Sequence, residues 1–155
     1  MMRITPGDFG DPRVVELLSI HVVSARAETA CGSAHALDLT GLQSPGISFW
    51  TTWEGETLLG IGALKTLSPD HGEVKSMHTA QSARRKGAGS AMLRHIIASA
   101  RESGMKRLSL ETGSREYFRP AWGLYKGHGF TECAPFADYA LDPNSVFMTL
   151  DLTES

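Results

Sequence analysis

The stretch ARRKGAGSAMLRHIIASAR, residues 83–101, decides how the rest of the chain is read. Arg84, Arg85 and Lys86 run into Gly87 and Gly89. An apolar-periodic helix follows, with Met92, Leu93, Ile96, Ile97 and Ala100 on one face and Gly104 as its left-handed stop. A helix start ordinarily carries Ser, Thr, Asp or Asn as its cap. It also favours negative charge, because its first N–H groups lack partners and the macrodipole is positive there. This start has cations and no cap, so the missing negative charge has to come from elsewhere.

A bound anion would supply it. Glycines at 87 and 89 allow close approach to the backbone, and the amides from Arg85 to Ser90, Ala88 included, would face a pyrophosphate together with the neighbouring guanidinium groups. The competing reading is a solvated basic helix entrance in which the glycines only turn the chain. The spacing matches neither G-x-x-x-x-G-K-[ST] nor G-x-G-x-x-G, so neither common nucleotide loop is present.

Working outward, EVKSMHT before this segment reads as a strand, with Val74, Ser76 and His78 alternating against Glu73, Lys75 and Met77. KRLSLET after it reads as another. ISFWTTWEGETLLGIGALKTL is a hairpin turning at Gly55. MRITPGDF gives a short first strand, DPRVVELLSIHVVSARAE a helix, and SAHALDLTGL a second, shorter helix. RPAWGLYKGHGF gives a helix opening at Pro120 and ending at Gly129, and SVFMTLDL closes the chain as a strand. Helices alternate with strands only in the second half. The pattern therefore predicts an α/β (α+β) fold over residues 1–155. Its single domain has a mixed, mostly antiparallel sheet of about six or seven strands flanked by about four helices.

The 155 residues, 41% hydrophobic and 21% charged with a net charge of −2, fit one ordinary globular core. No global basic field argues for nucleic acid or an anionic membrane. ARRK alone lacks the basic stripe or aromatic platform that nucleic-acid binding needs. No stretch approaches the ~20 apolar residues of a membrane span, and the N-terminus has no secretory apolar region. Cys31 and Cys133 form no disulfide framework and read as free thiols of a cytoplasmic protein, Cys133 as buried packing. The six histidines and two cysteines show no metal-ligand spacing, so no metal site is expected.

RRKGAG fits the [QR]-x-x-G-x-[GA] motif of the GNAT acetyltransferases, which use acetyl-CoA. EVKSMHTAQSARRKGAGSAMLRHI resembles that family's central strand, pyrophosphate loop and helix, and ETGSREYFRPAWGLYKGHGF its next strand and helix. More narrowly, LSLETGS and PFADYALDPNSVFMT are similar to a bacterial branch of mostly unassigned substrate. The resemblance implies that the backbone of Met77, His78 and Thr79 pairs with the pantetheine arm like an added strand. Arg84 would be the motif's first residue, with the amides from Arg85 to Ser90 on the pyrophosphate. The opening helix is then capped by its ligand. Family members often pair as dimers, which makes a homodimer an expectation here.

Acetyl transfer to an amine needs a base for the amine proton and an acid for the departing thiolate. By resemblance Tyr125 is the acid; a core tyrosine under the sheet is the alternative. Glu73 and Glu111 are the candidate bases, placed where such a sheet splays, and each could instead be an exposed strand-end carboxylate or a partner for Lys75 or Arg107. His78 has a suitable ordinary pKa but falls on the face opposite Glu73 unless a bulge intervenes. His35 and Trp50 are candidates for the acceptor site. The expected function is acetyl-CoA-dependent N-acetyl transfer to a small or protein amine, with a non-catalytic CoA-binding module as the alternative. A near-neutral charge points away from polyamines and histone tails.

Overall fold

The structure, a computed structural model, describes residues 2–27, 39–84 and 86–153. Two strands, β2 (Ile47–Glu54) and β3 (Thr57–Ser68), form the predicted hairpin, with Glu54 opposite Thr57 and Gly55 at φ +59° opening a two-residue turn. β1 (Met2–Pro6) pairs with β2, and β4 (His71–Thr79) returns along β3, all antiparallel. β5 (Arg107–Gly113) then lies parallel to β4. A parallel neighbour needs a crossover, and α3 (Ala88–Glu102) provides it. β7 (Ser145–Asp151) pairs antiparallel with β5, and the two-residue β6 (Thr131–Glu132) lies on its outer edge. The seven-stranded order is β1-β2-β3-β4-β5-β7-β6, a mixed and mostly antiparallel sheet as expected.

Helices cover both faces. α3 and α4 (Arg119–Gly127) enclose the larger core, in which Met92, Leu93, Ile96 and Ala100 meet Leu64, Val74, Leu108, Leu110 and Met148. α1 (Pro12–Ala27) lays Val14, Leu17 and Leu18 on Phe49, Trp53, Ile61 and Ala63 of the opposite face. α2 (Leu39–Leu42) covers the last four residues of SAHALDLTGL, and the rest of that stretch lies outside the described residues. The Trp indoles divide between the layers: Trp53 belongs to the α1-side core, whereas Trp50 packs on the α3 side.

α3 approaches the sheet closely at Gly62, where an added Cβ would stand 2.5 Å from Met92 Cγ and 3.1 Å from Ile96 Cδ1. Both partners are fully buried, so they have little room to yield. Gly62→Val should therefore destabilise the fold by about 1–3 kcal/mol through overpacking. Urea unfolding would show this as a lower midpoint with an unchanged slope.

Candidate active site

The β4–β5 ladder is short. It runs from His71 opposite Arg107 to Val74 opposite Leu110, although β4 continues to Thr79 and β5 to Gly113. Beyond Val74 one arm follows β3 and the other follows β7, so a wedge opens between residues 75–79 and 111–113. An extended ligand can add to such an open strand edge by main-chain hydrogen bonds.

At the mouth of the wedge β4 carries an extra residue. Ala63 pairs with Lys75, but Ile61 pairs with His78, so two steps on β3 match three on β4. Ser76 takes φ +57°, rare for a residue with a side chain, and its buried hydroxyl has no hydrogen-bond partner among the described residues. The bulge corrects the simple alternation read from EVKSMHT. Met77 packs towards the α3-side core, and His78 joins Glu73 and Lys75 on the α1 side, opposite Ile61.

Downstream, Ala80 is tied to Leu59 by its N–H, and a short 3-10 turn (Gln81–Ala83) leads to Gly87. Gly87 adopts the left-handed conformation at φ +84° and caps α3 with no side-chain hydrogen bond; the first turn holds no acidic residue. Open space surrounds Gly87, while an added Cβ at Gly89 would stand 3.4 Å from Thr79 Oγ1 and Leu124 Cδ2. Arg84 and Lys86 are exposed beside this entrance and Ala88 is buried beneath it. Ser90 Oγ lies 3.1 Å from His128 Nε2 and accepts from Arg94 at 2.7 Å, which links the start of α3 to the end of α4. The end of β4 is thus followed within a few residues by the uncapped start of α3 and the exposed cations Arg84 and Lys86. A diphosphate fits that start: the glycine at the cap leaves the approach open, and the uncapped N–H groups lack an anion.

Tyr125 is buried on α4, its ring 5.8 Å from that of Phe130. Burial first, and the nearby Glu111 charge second, push its phenol well above the ordinary tyrosine range, which keeps it protonated. Glu111 is half-buried on β5, where the wedge begins, and its charge also raises Tyr139.

Glu73 is fully buried on the α1 side. Its Oε2 accepts from Tyr139 Oη at 2.5 Å and from Lys75 Nζ at 3.3 Å, and Lys75 also donates to Tyr139 at 3.0 Å. The Lys75 pairing foreseen as one alternative for Glu73 is therefore present. Tyr139 comes from the segment between β6 and β7 and packs with Phe136 and Phe147. Nothing in PFADYALDPNS has helical or strand periodicity, so its contact with Glu73, 66 residues away, left no local signal.

His21, on α1, likewise carries no local sequence signal of a functional role. Its Nδ1 lies 3.2 Å from that of His78. Trp50 is not brought to this side, its ring standing 4.8 Å from His95 on α3. Cys133 is half-exposed rather than buried, because β6 is a two-residue edge strand that covers little. His35, Arg85 and Cys31 lie outside the described residues. Among the described residues no cluster of three metal-ligating side chains occurs, and no helix is long and apolar enough to cross a membrane.

Burial holds His21 far below its ordinary pKa near 6.5, at about 4, with the charges of His78 and Lys75 adding to the effect. The unfolded chain therefore binds this proton first as pH falls. Stability from His21 is complete above about pH 6.5 and is lost progressively down to about pH 4, by on the order of 3 kcal/mol. Denaturant unfolding between pH 4 and 7 should show a loss of that order in the wild type that is missing from His21→Leu.

The model of the acetyltransferase (GNAT) family matches residues 8–130. The chain is 50% identical over 151 residues to YsnE, an uncharacterized N-acetyltransferase of Bacillus subtilis, covering 97% of this chain and 100% of that one. It is 46% identical over 155 residues to YedL, an uncharacterized N-acetyltransferase of Escherichia coli, covering 100% and 98%. Among solved structures, a Klebsiella pneumoniae protein described as an acyl-CoA N-acyltransferase superposes with a TM-score of 0.79 at 27% identity, over 98% of both chains. The open β4–β5 wedge, the glycine-capped helix entrance and these full-length likenesses agree: the chain belongs to the GNAT family of acetyltransferases.

Proposed function

We propose that the protein transfers the acetyl group of acetyl-CoA to a primary amine by direct attack, without an acyl-enzyme intermediate. The observation that carries this reading is the continuity of the β4 edge, the uncapped start of α3 and the protonated Tyr125 around one wedge. Residues 77–79 hold the pantetheine arm as an added strand. The amides from residue 85 to Ser90, with Arg84 and Lys86, hold the phosphates.

An ammonium has no lone pair, so the amine must attack as the neutral species and then lose a proton. Backbone N–H groups at the β4 bulge stabilise the oxygen charge that develops on the thioester carbonyl. Tyr125 gives its proton to the departing thiolate. The base stands on the α1 side of the wedge, where Glu73, Glu111 and His78 are the proton acceptors at hand. The acceptor reaches them from that side. It is a small amine, an amino acid or a protein amine. Work in the cytoplasm, as a monomer or a homodimer, is compatible with this reading.

Two measurements test it. Acetyl-CoA and CoA, but not ATP, should raise the unfolding temperature, with stabilisation near 2.7 kcal/mol at about 100 times Kd. Gly89→Asp should weaken that shift, an about tenfold rise in Kd cutting it to about half at the same ligand concentration, while the unliganded fold keeps its stability because an acidic residue suits a helix start. No shift with either CoA species at millimolar concentration would sink the proposal. Thiol release from acetyl-CoA, followed over a panel of amino acids, simple amines and peptide N-termini, identifies the acceptor. With the best amine of that panel, Tyr125→Phe should lower kcat by about 100-fold and leave the acetyl-CoA thermal shift intact.

A further inference from the structure

Three proton acceptors lie in the wedge or beside it, Glu73 at the last paired positions of the β4–β5 ladder and Glu111 and His78 beyond them, and their surroundings differ. Oε2 of Glu73 already accepts from Tyr139 and from the Lys75 ammonium, an arrangement that fixes the 133–144 segment across the sheet. Glu111 acts electrostatically on two phenols. His78 is differently placed. The bulge at Ser76 rotates it onto the α1 side, and its partner there is another imidazole, His21, from the middle of α1.

The two Nδ1 atoms are 3.2 Å apart and the rings meet edge to face with centroids 5.1 Å apart. A hydrogen bond between two Nδ1 atoms requires one proton between them. Two neutral rings joined this way have opposite tautomers: the donor ring has a bare Nε2, and the acceptor ring carries Nε2–H. The charged groups that act on the pair are cations, Lys75 on β4 beside His21 and Arg84 beyond the end of β4 beside His78. Together with burial they hold both rings below the ordinary histidine value, and His21 is the more deeply buried of the two. At neutral pH the pair is uncharged, with one unprotonated Nε2 to offer.

We infer that His21 and His78 act as a single proton-accepting unit for the attacking amine, with His78 as the catalytic base and His21 as the positioning residue that fixes its tautomer. The inference rests on the acetyl-transfer reading above and names the base that reading left among three. As the amine nitrogen bonds to the thioester carbonyl carbon and the C–S bond breaks, one nitrogen proton passes to Nε2 of His78. The Nδ1–H of His78 stays on Nδ1 of His21, whose own protonation is disfavoured by burial. Tyr125 gives its proton to the thiolate, and water returns the proton of His78 to the Tyr125 phenolate. A neutral amine and acetyl-CoA become an amide and CoA thiol with no net change in protons.

The test joins spectra and kinetics on the full chain. Long-range proton–nitrogen spectra of 15N-histidine-labelled protein, taken from pH 4 to 8, should show two imidazoles titrating below the ordinary histidine value, one an Nδ1–H and the other an Nε2–H tautomer. In His21→Leu the His78 signal should become a mixture of tautomers. With the best amine of the panel, the acid limb of kcat/KM should coincide with the His78 midpoint. His78→Gln should lose that limb and about 100-fold in kcat while keeping the acetyl-CoA thermal shift. His21→Leu should lose about tenfold in kcat at unchanged KM for acetyl-CoA, and His21→Asn, which can still accept a hydrogen bond, should recover most of it. Independent titration of the two rings near 6.5, or turnover by His78→Gln at the wild-type rate and pH profile, overturns the inference alone. Absence of turnover by the wild type with every amine overturns the acetyl-transfer reading beneath it as well.

Discussion

The early end of the β4–β5 ladder governs the rest of the site. These are the two parallel neighbours of the sheet, and their joining requires the α3 crossover, so the strand that opens the wedge also delivers the chain to the start of that helix. Had the ladder continued past Val74 and Leu110, the edge of residues 75–79 would be consumed by main-chain bonds to β5. A ligand arm would then find no strand to join. Opening the wedge leaves backbone groups that need partners, and a bound thioester arm and its phosphates are suited to be those partners.

A second constraint operates at the helix entrance. An N-terminus without a capping side chain, flanked by Arg84 and Lys86, is locally unfavourable for an isolated helix. Its stability comes from the apolar face instead. Met92, Leu93, Ile96 and Ala100 are essentially fully buried, and Gly62 lets the helix sit close to the sheet. Good packing along the helix body therefore tolerates an end that is left for a ligand.

Much of this was legible in the sequence where periodicity is strong. The 3.6-residue stripe after Gly89, the aromatic and aliphatic runs around Gly55 and the loop glycines located α3, the β2–β3 hairpin and the uncapped helix entrance. The mixed character of the sheet followed from helices and strands alternating only in the second half. What escaped was set by tertiary contact. Ser76 has no intrinsic preference for a positive φ, so nothing local announced the bulge that transfers His78 to the other face. His21 reads as one polar position in a helix until β4 meets it 57 residues later, and Tyr139 lies in an aperiodic stretch whose role is fixed by Glu73. Such long-range polar pairs leave almost no trace in local pattern. The residues brought to opposite faces, Trp50 and Trp53, likewise could not be assigned from a shared aromatic cluster alone.

The sheet also separates two kinds of inheritance. Tyr125 stands on the α3–α4 side, whereas His21, His78, Glu73, Lys75 and Tyr139 stand on the α1 side. Two of the α1-side set, His21 and Tyr139, come from α1 and from the aperiodic 133–144 stretch, neither of which helps to build the helix entrance. Descendants of such a chain can exchange those segments for others while retaining the donor half unchanged. A common thioester-handling frame can in this way diversify into many lineages, each distinguished by what it covers on one side of its sheet.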